Sequence, residues 1–140
     1  LGCLQHAIHT TILSLISSAG HVEANHSITR TAQLELAEEL GVDNITEDEL
    51  QLSFVIPAEQ SDMGGCNAYE HVYFLIRGNN ETNSISQFAL GTAEVSEVAW
   101  KPVKDVLNAL RNNDEGYALR TQQYVDAMEK ELNRILLRKY

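Results

Sequence analysis

The chain has 140 residues, 44% of them hydrophobic, and its twenty acidic against ten basic side chains give a formal net charge of -10 at pH 7. This length and apolar content predict one domain, residues 1–140, with a real hydrophobic core. The charge argues against a nucleic-acid polymer or an anionic membrane as partner, and no stretch approaches the roughly 18 consecutive apolar residues of a spanning helix.

The first part of the chain predicts strand-forming segments followed by one helix. Residues 6–13 (HAIHTTIL) are β-branched and partly alternating, as in a strand, and a second apolar stretch follows with almost no turn signal. A helix capped by Ser27 or Thr29 then runs to about Leu40. Gly41 ends it, because glycine adopts the left-handed conformation of a C-cap.

The rest of the chain predicts a strand pair and two helices. Leu50–Ile56 and His71–Ile76 are short, apolar and rich in strand formers, and a short strand is expected near Glu97–Trp100. One helix starts at Pro102 and another covers about Leu119–Leu137. The apolar stripe of the last helix comprises Tyr124, Met128, Leu132, Ile135 and Leu136. This mixed order predicts an α/β or α+β fold.

Three glutamates cluster on the predicted helix. Positions three and four residues apart share a helix face, so Glu35, Glu38 and Glu39 form one carboxylate group. Their mutual repulsion costs roughly 0.2–0.5 kcal/mol for each close pair, and a divalent cation reverses its sign. Oxygen ligands suit magnesium or manganese. The alternative from spacing alone is an ordinary solvated acidic face.

The helix and its flanking loops resemble the Nudix box, G-x5-E-x7-R-E-U-x-E-E-x-G-U, where U is a bulky aliphatic residue. The positions that match in register are Gly20, Glu35, Leu36, Glu38, Glu39, Gly41 and Val42. The resemblance implies a mixed β-sheet sandwiched between helices. It also implies hydrolysis of nucleoside diphosphate derivatives or related pyrophosphates, assisted by Mg²⁺ or Mn²⁺.

The resemblance assigns roles to four acidic residues. Glu35, Glu38 and Glu39 become the metal ligands. Glu38 and Glu94 become the candidate catalytic residues, with Glu94 as general base or additional ligand from outside the box. The alternative for Glu94, and for the further acidic candidate Glu70, is that they are exposed charges without a catalytic role.

Two box positions depart from the pattern. The first glutamate is His26 and the arginine is Leu34, which cannot pair with the glutamates; Arg30, one turn earlier, is a hypothetical substitute. A histidine ligand would shift the metal preference toward manganese or zinc. These departures favour an alternative reading, in which the domain is catalytically degenerate and acts as a nucleotide-binding or interaction module.

Other segments are similar to the Nudix branch related to isopentenyl diphosphate isomerase. These segments are SSAGHVEA, YEHVYFLI and AEVSEVAWKPVKDVL. The isomerases carry a cysteine where this chain has Ser18–Gly20, which argues against isomerisation. The N-terminal hairpin usual in the family is missing or shortened here, since Leu13 is followed at once by SLISSAGH.

The remaining expectations concern the aromatic residues and the protein's surroundings. Tyr73, Phe74 and Trp100 are expected to pack in the core rather than to stack on a base. Cys3 and Cys66 lack metal-ligand spacing, which is typical of reduced thiols and indicates a cytoplasmic location. The expected partner is a small-molecule diphosphate substrate. The apolar stripe of the last helix is expected to be either a packing surface or an oligomer contact, for example in a homodimer.

Overall fold

The structure is a computed structural model that describes residues 12–16, 26–46, 49–57, 69–77, 88–91, 95 and 97–137. Its elements, in chain order, are β1 (Ile12–Ile16), α1 (Ile28–Leu40), β2 (Leu50–Pro57), β3 (Tyr69–Arg77), α2 (Val103–Arg111) and α3 (Gln122–Leu137). This content confirms the predicted mixed class of strands and helices. In this part of the chain, none of the helices is long and apolar enough to cross a membrane.

The three described strands form one sheet with β3 in the middle. Both β1 and β2 pair with β3 in antiparallel orientation. The strands predicted at Leu50–Ile56 and His71–Ile76 are therefore confirmed as a pair. Of the strand predicted at 6–13, only its last two residues are described, and they belong to β1. The question of a missing N-terminal hairpin lies outside the described residues.

A register shift in β2 divides its side chains between the two sheet faces. Leu50 pairs with Leu75 before the shift, whereas Phe54 pairs with Val72 after it. An extra residue in a strand reverses the alternation that follows, since successive side chains point to opposite faces. The same strand thus contributes to two cores.

Each face of the sheet is covered by a separate hydrophobic cluster, because β3 alternates between them. Helix α1 packs on one face together with Phe88, Leu90, Val95 and Val98, in what we call the α1-side core. Its buried members are Leu36, Leu40, Leu50, Tyr73, Leu75, Val95 and Val98. Helices α2 and α3 pack on the other face, the α3-side core. Its buried members are Ile56, Val72, Phe74, Val106, Leu107, Leu110, Tyr124, Val125, Met128, Leu132 and Ile135.

The last helix starts three residues later than predicted. Thr121 caps it, since its hydroxyl accepts a hydrogen bond from the Tyr124 backbone N–H at 3.1 Å. Leu119 precedes this cap and is 76% exposed. The predicted apolar stripe is confirmed as packing surface except at Leu136, which is half-buried.

The prediction of a short strand near Glu97–Trp100 is wrong, because these residues have no regular secondary structure. Val98 in this segment and Val95 just before it are both buried, and two positions three apart would face opposite sides of a strand. The Val95 N–H donates to the Gly91 carbonyl at 3.0 Å. The segment is irregular but buries a β-branched residue, and this composition resembles that of a strand.

Candidate functional site

Helix α1 forms as its sequence predicts, with a cap at each end. The Ser27 hydroxyl accepts from the Arg30 N–H at 3.1 Å, so Ser27 is the N-cap. At the other end Gly41 is left-handed, with φ 64°, and its N–H donates to Ala37. Leu36 and Leu40 bury the inner face of the helix. The helix that carries the three glutamates is therefore fixed in place by its caps and its core face.

The three glutamates lie on the outer side and the flank of α1. Glu35 and Glu39 are half-buried and Glu38 is exposed. One oxygen differs from the rest: Oε2 of Glu39 is fully buried and has no hydrogen-bond partner, alone among the buried side-chain polar atoms of the described residues. A buried carboxylate oxygen without a partner is destabilising, and a cation would satisfy it. The environment of Glu39 thus fits a metal ligand.

The described residues do not bring three metal-binding side chains together. Among residues 26–46 and the other described segments, no group of three His, Cys, Asp or Glu side chains is placed to hold an ion. Gly20 and Glu94 lie outside the described residues. The assignment of Glu35, Glu38 and Glu39 as ligands, and of Glu38 and Glu94 as catalytic residues, stays a prediction.

Arg30 does not replace the arginine whose position Leu34 occupies. Arg30 is exposed, donates to the Gln33 side chain at 3.4 Å and forms no ion pair with any described residue. Gln33 in turn donates to the Ile45 carbonyl at 2.9 Å, which ties the helix to the loop that follows it. Leu34 is half-buried, and His26 is exposed next to the N-cap.

A short segment that the sequence analysis did not single out holds the C-terminal end of α1. This segment, Phe88–Gly91, donates two backbone hydrogen bonds to the helix: Ala89 to the Leu40 carbonyl at 3.0 Å and Gly91 to the Glu39 carbonyl at 2.8 Å. The last carbonyls of a helix have no partner within it, so these bonds satisfy groups that would otherwise need water. We call Phe88–Gly91 the brace.

Other acidic and aromatic candidates have structural roles. Glu70 has a side chain only 12% exposed and pairs with Arg120 at 3.5 Å, so it joins β3 to the segment before α3. Tyr73 and Phe74 are buried, as predicted, on opposite faces of the sheet. Trp100 is half-buried, and its ring lies 6.0 Å from that of Phe88 in the brace.

The Tyr73 hydroxyl reaches the first turn of α1. It lies 3.2 Å from the Thr29 hydroxyl, within hydrogen-bonding distance. Tyr73 is thus a core residue that also fixes the N-terminal end of the helix. The sheet holds α1 at this end and the brace holds it at the other.

Comparison with protein families decides the identity of the fold. The family model of the NUDIX domain matches residues 4–122, which is most of the chain. The chain belongs to the Nudix family. Comparison with curated proteins and with solved structures returned no match. Nudix enzymes are in general pyrophosphate hydrolases that use divalent metals.

Proposed function

We propose that this Nudix protein is a metal-dependent hydrolase of nucleoside diphosphate derivatives or related pyrophosphates. The observation that carries the proposal is the buried, unpartnered Oε2 of Glu39 on the helix that matches the Nudix box. Without a cation, burial of this unpaired oxygen destabilises the folded protein, and a bound cation would remove that penalty. Mg²⁺ or Mn²⁺ is the proposed ion, since both prefer carboxylate oxygens.

The proposed division of labour among the glutamates follows from their exposure. Glu35 and Glu39, both half-buried on the flank of the helix, would hold the ion with Glu38. A bound divalent ion neutralises diphosphate charge and lowers the pKa of an attacking water. Glu38, which is exposed and so accessible to substrate, and Glu94 are the proposed catalytic residues that take the water's proton.

The proposed partner is a small diphosphate rather than a polymer. A net charge of -10 disfavours association with nucleic acid or an anionic membrane, whereas one small anion needs only a local cation. We further infer a cytoplasmic location and kinship with the isopentenyl diphosphate isomerase-like branch. A homodimer through exposed surfaces is a further part of this proposal.

The test is turnover by a matched pair of variants. Purified protein is assayed with Mg²⁺ and with Mn²⁺ over a panel of diphosphate substrates, with the two monophosphate products, separated by chromatography, as the readout. We expect the Glu38→Gln, Glu39→Gln double variant to lose turnover because it lacks two ligands. Glu115→Gln, an exposed glutamate between α2 and α3, should retain it. Wild-type turnover no higher than that of the double variant would contradict hydrolysis.

A second function, nucleotide binding without cleavage, is favoured by one observation. Leu34 occupies the position of the box arginine, and Arg30 donates to Gln33 and does not replace that arginine. Calorimetry separates the two functions. Metal-dependent binding of a diphosphate with no product formed supports the binding module, and product formation supports the enzyme.

A further inference from the structure

The brace approaches α1 more closely at Gly91 than any side chain would permit. A Cβ built on Gly91 would lie 2.4 Å from the Glu38 carbonyl oxygen and 3.4 Å from the Glu39 Cα. The φ angle of Gly91 is outside the left-handed region, so glycine is needed here for space and not for conformation. The backbone of the brace thus lies directly against the backbone of two proposed metal ligands.

The same segment also fixes the turn that ends the helix. A Cβ on Gly41 would lie 2.6 Å from the Ala89 Cβ, and the left-handed φ of Gly41 disfavours other residues as well. Leu90 and Phe88 pack against the α1-side core. The brace is therefore anchored in the core on one side and on the helix backbone on the other, with no flexible side chain between Gly91 and Glu38 to absorb a displacement.

We propose that Gly91 is a positioning residue for the metal site: its contact with Glu38 and its hydrogen bond to Glu39 set where these two carboxylates stand. This inference rests on the proposed function. Glu39 Oε2 is already buried, so the position of its backbone decides whether the oxygen faces an ion or the protein interior. Residues that orient metal ligands typically change metal affinity by about 10- to 100-fold when they are altered.

The first test is Gly91→Ala, with Gly116→Ala as its matched control. The Cβ of an alanine at 116 would meet only the Asp114 carboxylate at 3.4 Å, an ordinary contact. Mn²⁺ affinity is measured from the EPR signal of free Mn²⁺, at a temperature where circular dichroism shows each variant fully folded. We expect Gly91→Ala to bind Mn²⁺ about 10- to 100-fold more weakly and Gly116→Ala to bind as wild type. Wild-type affinity in folded Gly91→Ala would overturn the proposal, because a purely structural role changes stability alone.

A second test needs no variant and so does not depend on Gly91→Ala folding. Coupling between two sites is reciprocal: if the Gly91 hydrogen bond favours metal binding, the metal favours that hydrogen bond. We expect Mg²⁺ to slow amide hydrogen exchange at Gly91 by about tenfold. The Gly116 amide, which donates to Asp114 at 2.9 Å, should be unaffected. A Gly91 rate that Mg²⁺ leaves unchanged would overturn the proposal.

The double variant Glu38→Gln, Glu39→Gln separates this inference from the function on which it rests. If wild-type protein binds no Mn²⁺, or the double variant binds it equally well, the glutamate site and the role of Gly91 both fail. If the double variant loses Mn²⁺ while folded Gly91→Ala keeps it, only the role of Gly91 fails.

Discussion

At the scale of single residues, Glu39 has an unfavourable feature that a bound cation would relieve. Its Oε2 is buried without a partner, while its backbone carbonyl is satisfied by Gly91. A charged group left unsatisfied costs about 1–3 kcal/mol or more. Proteins retain such groups where function requires them, and the sequence around this one resembles a Nudix box.

The substitution Glu39→Gln should therefore have opposite effects with and without metal. Without metal we expect an unchanged or higher free energy of unfolding, by up to about 1 kcal/mol, because a buried charge is removed. With Mg²⁺ or Mn²⁺ we expect the metal-induced rise in melting temperature to disappear, because a ligand is lost. Thermal unfolding with and without metal measures both.

Glu115→Gln is the control for this prediction, since Glu115 is exposed in the connection between α2 and α3. It should change neither melting temperature. A clear loss of stability in metal-free Glu39→Gln would show that the carboxylate already has a stabilising partner. The metal-ligand interpretation of the buried oxygen would then be wrong.

At the scale of elements, the ends of α1 are encoded locally. Ser27 accepts the Arg30 N–H, and Gly41 supplies the left-handed stop, so each end has a local capping residue besides the contacts made by Tyr73 and by the brace. No acidic side chain lies in the first turn and no basic one in the last to favour the helix dipole. The caps therefore contribute a large part of what holds the ends of this helix.

Replacement of the N-cap should destabilise the protein by a predictable amount. Ser27→Ala removes the acceptor for the Arg30 N–H, and we expect a loss of about 1 kcal/mol in the free energy of unfolding. Ser27→Gly should cost only about a few tenths of a kcal/mol. Urea denaturation of the three proteins measures the difference. Equal stability of the alanine variant and wild type would show that the cap is not formed.

These local signals explain which elements could be predicted from the sequence. The caps of α1, the strands β2 and β3 and the stripe of α3 follow from nearby residues and from hydrophobic period. The bulge in β2 could not be predicted, because it is fixed by pairing with β3. Residues 97–100 predict a strand because Val98 and Trp100 suit strands, but Val98 is buried beside α1 in an irregular segment.

The candidate site was predictable only in part for the same reason. Glu35, Glu38 and Glu39 are contiguous on one helix, so their pattern shows in the sequence. Gly91 lies about fifty residues away, and its contact with Glu38 exists only in the folded chain. Nothing in its local sequence separates it from a loop glycine.

At the scale of the whole molecule, one sheet separates two hydrophobic cores that have different roles. The α1-side core holds the helix of the proposed metal site, and the α3-side core contains the larger buried cluster. The bulge in β2 lets the same strand serve both. Stability depends on both cores, but the position of the glutamates depends directly on the α1-side core.

Two leucine-to-alanine substitutions, one in each core, should distinguish the roles of the two cores. Leu36 is 0% exposed in the α1-side core and Leu132 is 1% exposed in the α3-side core. Replacing either by alanine should lower the free energy of unfolding by about 2–5 kcal/mol, because each leaves a comparable cavity. Only Leu36→Ala should weaken Mn²⁺ binding by the folded protein, by about tenfold, since Leu36 lies one residue from Glu35 and anchors its helix. Urea denaturation and EPR of free Mn²⁺ measure the two quantities on the same samples.

If both variants bound Mn²⁺ with wild-type affinity, the glutamates would be positioned independently of the α1-side core. If both lost it equally, metal binding would report only global stability.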